Sequence, residues 1–383
     1  MRFIYIFLLL FFLNVSKLFA HRENSYYLYG TFGNQEVAIQ IDEYGNDCMA
    51  RYFTADNLYD HVLEGKILPD TTFEFHASVY DPVTKEKAPG GRLTLKEIRL
   101  DIWQGVWAKL DGTAQEVNLN RIEVNELDHP FIKAIQKYKV SPFAAYRTKN
   151  IKLVDLKKEK ISKGAYIMNE MEAETGMKWF RLIQNSKYLP DVDSVNIKLQ
   201  AEFLMALNYK YSCVYMGKPG DYRYEFEVQY LNKDLISYKV ISNAACYGSP
   251  AQDLIAYKTL YMKDAGPVSL ENLFWFGEKP QPELRDGEYA WFQYRYKVFG
   301  PEILELMKAQ YPDNMTQESA EACNYDDVKV WQFPTWGLTK TGLYLGSKSP
   351  ITSRECDDAG WSVIPYKRLK PYVSTDMGLV KNK

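Results

Sequence analysis

The fold is decided by Trp361–Val373, which reads W-S-V-I-P-Y-K-R-L-K-P-Y-V. Val363 and Ile364 predict a short β-strand, and Pro365 ends its pairing because proline has no N–H to donate to a ladder. Basic residues then alternate with larger ones as far as Pro371. We predict that this stretch is the last strand and exit of a domain, with a solvated basic edge that discourages strand-to-strand aggregation.

The clearest hairpin of the sequence lies upstream of that stretch. Tyr222–Tyr230 alternates aromatic and apolar residues with charged or polar ones, which is the period-2 pattern of a strand with one buried face. Asn232–Asp234 supplies turn residues, and Leu235–Val240 continues as the second strand. Tyr257–Met262 predicts a third strand.

Two helices are predicted to accompany these strands. Val195–Asn208 places its larger apolar residues at successive i, i+4 positions, which indicates an amphipathic helix. Gly300–Glu302 opens another helix, because proline is tolerated in a first turn. Residues 188–383 are therefore predicted to form an α+β domain, with helices packed on one face of an antiparallel sheet.

Residues 21–124 carry a different pattern, that of antiparallel β-structure. Val37, Ile39 and Ile41 alternate with less apolar residues, and Glu43–Asp47 supplies the turn of a hairpin. Several such short strands predict a β-rich domain, either a sandwich or a partial barrel. This segment contains Trp103 and Trp107, for which there are two alternative roles: a ligand platform or core packing.

Residues 125–187 differ in composition from both neighbours. This stretch is richer in charged residues and helix formers, notably in Leu153–Lys163 and Met168–Glu174. Thr175–Leu182 then predicts a turn that leads into a strand. We interpret the stretch as a connector or a small subdomain.

The N-terminal residues 1–20 predict a secretory signal peptide. They contain Arg2, a short apolar run and a small-residue stretch that ends at Ala20. An uncleaved membrane anchor is the alternative, because the apolar segment is almost long enough to span a bilayer. The sequence contains no other long apolar stretch, so the mature chain is predicted to have no membrane span and to be exported, periplasmic or extracellular.

Export makes the five cysteines candidates for disulfides. The close spacings predict two local bridges, Cys213–Cys246 and Cys323–Cys356. Cys48 is then the cysteine without a disulfide partner. Four cysteines allow three connectivities, and five buried thiols are the alternative. Each bridge would close a loop of about thirty residues and stabilise the fold by a few kcal/mol.

The order of these features resembles a known extracellular domain family. It is the domain of unknown function shared with the extracellular domain of lysozyme-sensing anti-sigma factors (RsiV-like) and found beside a peptidoglycan deacetylase. The resemblance is carried by the helix, by the Cys213 hairpin with Leu235–Tyr238, and by Val268–Phe274, Gly337–Leu338 and Ile364–Tyr372. It implies an α+β domain outside the cytoplasm, without catalysis of its own. In the anti-sigma factors it implies direct binding of lysozyme.

No catalytic or metal-binding motif in the sequence has the required spacing. The histidines are scattered; they are His21, His61, His76 and His129. Two metal sites stay open, copper at an N-terminal His21 and calcium at the acidic turns Asp326, Asp327, Asp357 and Asp358. No cofactor is predicted.

A binding surface is the function that the composition favours. The formal net charge of −2, with acids and bases interspersed, argues against a nucleic-acid partner. Trp331, Trp336 and Tyr344 lie around Pro334-Thr335 and Gly337, which interrupt regular secondary structure. They are the predicted exposed patch for a protein or cell-wall glycan. The main hypothesis is a non-enzymatic envelope protein that binds a protein or peptidoglycan-related ligand. A cell-wall hydrolase and a purely structural envelope component are the alternatives.

Overall fold

A computed structural model describes residues 24–80, 86–246, 252–315, 323–348, 356–375 and 379. The predicted signal peptide and His21 lie outside these described residues. The chain divides into two compact units, which are each built from separate stretches. We call them the barrel unit (Met1–Ile151, Gln200–Tyr222 and Ala244–Ala251) and the second unit (Lys152–Leu199, Arg223–Asn243 and Gln252–Lys383).

The barrel unit begins with a closed antiparallel barrel of eight strands. Each strand pairs with the next in sequence, and the last pairs back with the first. The strands are β1 (Ser25–Phe32), β2 (Gln35–Tyr44), β3 (Asp47–Thr54), β4 (Asn57–Ile67), β5 (Phe73–Tyr80), β6 (Lys87–Arg99), β7 (Ile102–Lys109) and β8 (Ala114–Arg121). The predicted hairpin is thus β2–β3, and the β-rich segment closes fully, which leaves it no exposed sheet edge.

Apolar side chains fill the inside of the barrel. Trp103 and Trp107 both belong to this buried cluster, together with residues such as Phe75 and Leu93. Core packing is therefore the role of both tryptophans, although Trp107 also lies at one end of the barrel. Side chains commonly fill barrels of this strand number.

Short helices follow the barrel in the chain. They are a 3-10 turn (Val124–Glu126), α1 (Ile132–Tyr138) and α2 (Pro142–Arg147). Phe143 and Tyr146 of α2 pack against Ala38 and Phe53 on the outside of β2 and β3. Strand β2 is consequently buried on both faces. The barrel unit also contains most of α3 (Asp193–Ser212) and the hairpin β12 (Val214–Tyr215) and β13 (Lys218–Pro219).

The second unit contains three separate three-stranded sheets. Their strands are β9 (Leu153–Ser162), β10 (Ala165–Glu172) and β11 (Lys178–Ile183); β14 (Asp221–Leu231), β15 (Leu235–Ala245) and β16 (Gln252–Tyr261); and β17 (Thr335–Leu338), β18 (Gly342–Gly346) and β19 (Val363–Pro365). The mixed α+β class is as predicted. The arrangement differs, because helices on one face of a single sheet were expected.

Helices of the second unit are short apart from one. They are α4 (Leu270–Leu273), α5 (Tyr289–Tyr294), a π-helical turn (Arg295–Phe299), α6 (Gly300–Gln310), α7 (Pro312–Met315), α8 (Lys329–Gln332), α9 (Tyr366–Leu369) and a 3-10 turn (Lys370–Tyr372). The two predicted helices are α3 and α6. Among the described residues, no helix is long and apolar enough to cross a membrane.

Trp361–Val373 is only partly a strand. Ile364 pairs with Leu343 of β18, and the ladder ends at Pro365 as predicted. The chain then turns into α9 instead of continuing as an alternating edge, because Leu369 is drawn into the same buried core as Ile364. Tyr372 stacks on Phe276 with ring centroids 4.5 Å apart. Burial of one face thus overrides the alternation of basic and apolar residues.

Leu153–Lys163 is rich in helix formers, but it is not helical in the structure. It forms strand β9, which pairs along its length with β10. Most of its side chains are exposed, with Ile161 buried. Pairing with a neighbouring strand has overridden a weak local preference for helix.

Ser237 joins two sheets of the second unit. Its buried hydroxyl accepts a hydrogen bond from the Leu338 N–H (3.0 Å) and shares one with Thr259 Oγ1 (3.0 Å). Replacing Ser237 by alanine leaves a buried N–H without its acceptor, so we expect the free energy of unfolding to fall by about 1–2 kcal/mol. Urea denaturation measures it. The same change at the exposed Ser186 is the control, and an equal loss there would contradict the assigned role.

Candidate functional site

A cleft of about 840 Å³ lies on the barrel unit, between the barrel wall and the β12–β13 hairpin. Strands β3, β4 and β5 form the wall. Arg51 pairs with Val62 in the β3–β4 ladder, and Glu64 pairs with His76 in the β4–β5 ladder. Residues paired in this way point to the same face. The wall therefore presents apolar and charged side chains side by side.

The hairpin contributes Val214–Gly217 to the cleft. Its two turn residues both have positive φ, 50° at Met216 and 71° at Gly217. A two-residue hairpin turn of this kind requires positive φ at both positions, and methionine adopts it rarely. Met216 therefore holds a rare backbone conformation in the turn that lines the cleft.

The Cys213–Cys246 disulfide holds the base of that hairpin. The Gly220 N–H donates to the Cys213 carbonyl at 2.7 Å. A Cβ at Gly220 would lie 2.8 Å from both Cys213 Sγ and the Ala245 carbonyl oxygen, so glycine is required there. The disulfide thus packs against Gly220, just after the hairpin that lines the cleft. Both predicted bridges are present, and Cys48 is a free, buried thiol.

A buried ion pair supports the floor of the cleft. Arg147 of α2 donates to the Asp60 carboxylate, and the two side chains are 0% and 2% exposed. Arg147 also donates to Asn208 Oδ1 at 2.9 Å, and its guanidinium lies over the rings of Phe53 and Phe143. Burial raises the pKa of the Asp60 carboxyl, and the guanidinium groups of Arg147 and Arg51 act in the opposite direction. Asp60 therefore has a structural role.

Aromatic rings line the end of the cleft nearest the barrel interior. Tyr52 stacks on His61 with ring centroids 4.9 Å apart, and Trp107 lies 6.2 Å from Tyr52. Burial lowers the pKa of His61, and neighbouring Asp60 opposes that effect. These three residues also line a smaller pocket of about 340 Å³ at the mouth of the barrel. His61 is consequently part of a cleft wall, a role that the sequence did not suggest.

The predicted exposed patch at Trp331, Trp336 and Tyr344 is wrong. Trp331 is completely buried in the core of the second unit, where its indole N–H donates to the Tyr325 carbonyl at 2.8 Å. Tyr344 is buried against Tyr257, and Trp336 is partly buried against the same core as Trp331. Aromatic residues beside turns are as easily core residues as surface ones.

The four acidic residues proposed for calcium do not converge. Asp326 pairs with Lys308 (2.7 Å), and Asp358 pairs with Lys239 (3.3 Å) and accepts from Tyr344. In the part of the chain that the structure describes, no group of three or more His, Cys, Asp or Glu could hold a metal ion. Asp326 and Asp358 instead make separate ion pairs, and Asp327 accepts from the Lys329 N–H at 2.9 Å.

The second unit exposes a different aromatic surface, which the sequence did not indicate. Tyr289, Phe292 and Tyr296 are exposed, and Phe292 and Tyr296 contact the ring of Phe333. We call these four residues the aromatic patch. Nothing in it brings charged or hydrogen-bonding groups of defined geometry together, so the cleft is the better candidate site.

Comparisons with known proteins add a structural likeness. No family model and no curated protein matches the chain. A crystal structure of a DUF3298 family member from Bacteroides fragilis is 13% identical, with a TM-score of 0.35, and the match covers 61% of this chain and 98% of that one. A DUF3298 family protein from Pseudomonas aeruginosa is also 13% identical, with the same coverage and a TM-score of 0.32. The structural neighbours are thus proteins with a domain of unknown function, and function is argued from this chain's own residues.

Proposed function

We propose that this chain is an exported, non-enzymatic binding protein, and that its ligand is a short peptide segment held in the cleft of the barrel unit. The single observation that carries the proposal is a cleft of about 840 Å³ whose lining mixes apolar and hydrogen-bonding groups. Sites for small ligands have volumes of about 300–1,000 Å³ and this mixed lining. The segment would belong to a protein or to a peptidoglycan-related molecule.

The size and lining of the cleft favour a peptide over a whole protein or a hydrocarbon ligand. A whole protein such as lysozyme, the partner that the family resemblance implies, needs about 800 Å² of surface on each side. A purely hydrocarbon ligand would remove water from the Glu64–Lys87 ion pair and from the Ser78 hydroxyl without offering them hydrogen bonds, at a cost in free energy. A peptide has amide groups for these side chains and apolar side chains for Val62 and Val79.

The hydrolase alternative needs two carboxyl groups about 5–10 Å apart that are available to the substrate. The cleft contains Asp60 and Glu64, which lie four residues apart on β4, or about 13 Å along a strand. Asp60 is bonded to Arg147, and Glu64 is bonded to Lys87 at 3.0 Å. Both carboxylates already have cationic partners, which favours binding over hydrolysis.

Export is supported by two disulfides, because such bonds persist in oxidising compartments. The predicted signal peptide supports it independently. N-terminal sequencing of the protein recovered from its cells tests this part of the proposal. A mature chain that begins at His21 is expected, whereas an intact Met1 in a reducing compartment would contradict it.

Val62 is the residue with which to test the site. It is 41% exposed in the cleft, while Ile98 is 52% exposed on β6 outside the cleft. Val62→Asp places a carboxylate against the apolar part of the ligand, so we expect affinity to fall at least tenfold. Ile98→Asp is expected to change affinity less than twofold. Calorimetric titration with a set of acetylated apolar tripeptides, with lysozyme as a second ligand, measures both.

The outcomes separate the alternatives. Tripeptide binding that Val62→Asp weakens and Ile98→Asp does not would support the proposal. Lysozyme binding that neither variant changes, with no tripeptide bound, would place the site elsewhere and contradict it.

A further inference from the structure

Among the charged residues that line the cleft in the described part of the chain, Arg51 is the one cation without a hydrogen-bonded carboxylate partner. Glu64 and Lys87 neutralise each other at 3.0 Å. Asp60 is taken by Arg147, and its other oxygen lies 3.9 Å from Arg51 Nη1, beyond hydrogen-bond distance. The charges of Arg51, Asp60, Arg147, Glu64 and Lys87, all among the described residues, therefore sum to one excess positive charge, located at Arg51.

The guanidinium of Arg51 also has unused donors. Its side chain lines the cleft and is 31% exposed, so the Nη end of the guanidinium is the part that a ligand can reach; its Nε is buried and makes no hydrogen bond to any residue that the structure describes. A guanidinium has five N–H donors in a fixed fork that matches the two oxygens of a carboxylate. The Nη donors of Arg51 thus suit a ligand anion better than the Asp60 oxygen 3.9 Å away.

The position of Arg51 specifies where that anion must be. Arg51 is the direct cross-strand neighbour of Val62, on the same face of the wall. A group bound by Arg51 is consequently next to an apolar segment that rests on Val62. The required arrangement is a carboxylate adjoining an apolar side chain, as at the free C-terminal end of a short peptide.

We infer that the cleft recognises the free carboxylate end of an apolar peptide, and that Arg51 binds this carboxylate. The inference rests on the proposed function and adds the chemical class of the ligand. Capture of a terminal carboxylate is an established mode of peptide recognition. Charge complementarity between Arg51 and the peptide end supplies specificity against internal peptide segments.

A matched pair of peptides tests this inference. Acetyl-Leu-Ala-Ala with a free carboxylate and the same peptide with a C-terminal amide differ in the recognised group. We expect wild-type protein to bind the acid about tenfold more tightly than the amide, a difference of about 1.4 kcal/mol, since a hydrogen bond to a charged group is stronger than one to a neutral group. Arg51→Gln is expected to reduce the ratio to about one, and Arg51→Lys to restore part of it.

Arg92→Gln is the matched control. Arg92 is exposed on β6, outside the cleft, and pairs with Glu74 at 3.5 Å, so the variant makes the same change in net charge. The ratio is expected to stay near tenfold. Far-ultraviolet circular dichroism and the denaturation midpoint check that each variant folds.

Each other outcome overturns a different statement. Equal binding of acid and amide by wild-type protein would overturn the carboxylate inference and leave the proposed function standing. A preference that Arg51→Gln retains would overturn the assignment to Arg51. Binding of neither peptide would overturn both the inference and the proposed peptide ligand.

Discussion

Replacing Arg147 by methionine is expected to lower the free energy of unfolding of the barrel unit by about 3–5 kcal/mol. Methionine keeps a long unbranched apolar side chain at this position but removes the guanidinium that lies over Phe53 and Phe143 and the charge beside Asp60. The buried carboxylate then has Arg51 as its nearest cation, at 3.9 Å. Removing one partner of a buried pair costs far more than the pair contributes, because the other charge stays desolvated. Urea denaturation at neutral pH measures the loss.

A surface ion pair provides the matched control. Arg121 is exposed and pairs with Asp101 at 3.2 Å. Arg121→Met should cost less than about 1 kcal/mol, because exposed pairs contribute little. The double variant Asp60→Asn with Arg147→Met should regain part of the loss. Equal destabilisation by Arg147→Met and Arg121→Met would contradict the structural role of the buried pair.

The effect of Arg147→Met should depend on pH in a definite direction. Burial raises the pKa of Asp60, and without Arg147 the main opposing effect is gone. A carboxyl with a folded-state pKa above its unfolded value destabilises the fold as pH rises through that range. The difference between wild-type protein and the variant should therefore shrink as pH falls from 7 towards 4. A difference that grows on acidification would contradict this explanation.

Removing the Cys213–Cys246 disulfide is expected to cost about 3–4 kcal/mol of stability and to abolish peptide binding. The bond joins residues 33 apart in sequence and holds the base of the hairpin that lines the cleft. Replacing both cysteines by alanine frees that hairpin, and Met216 can then leave its strained conformation. Denaturation and calorimetric titration measure the two effects separately.

The other disulfide is a control of the same loop length. Cys323 and Cys356 are also 33 residues apart, but they lie in the second unit. A loop-entropy account predicts a similar loss of stability for the alanine pair at these positions. Peptide affinity should nevertheless stay within about twofold of wild type. Loss of binding in both double variants would show that binding depends on general stability and not on the hairpin.

The local elements of this fold were predictable because their signals are short-range. Strict alternation in Tyr222–Tyr230 identified β14, and the i, i+4 pattern in Val195–Asn208 identified α3. Barrel closure was not predictable, since it depends on the pairing of Leu28 with Arg121, more than ninety positions away. No local pattern records which strands at the two ends of a meander will meet.

The candidate site was not predictable from sequence for the same reason. Arg51 and Val62 become neighbours through strand register, and Met216 reaches the same cleft from a hairpin more than 150 residues further along the chain. The predicted patch at Trp331 failed because aromatic content does not distinguish an exposed ring from a buried one. The cysteine spacing was informative because it is a local feature, and both bridges lie where it indicated.

The central claim is that ligand binds in the cleft of the barrel unit. Nuclear magnetic resonance of protein labelled at valine and methionine methyl groups, titrated with acetyl-Leu-Ala-Ala, tests it most directly. The methyl signals of Met49, Val62, Val79 and Met216, which all line the cleft, should shift together with one dissociation constant. Shifts at Val298, beside the aromatic patch of the second unit, with those four signals unchanged, would contradict the claim.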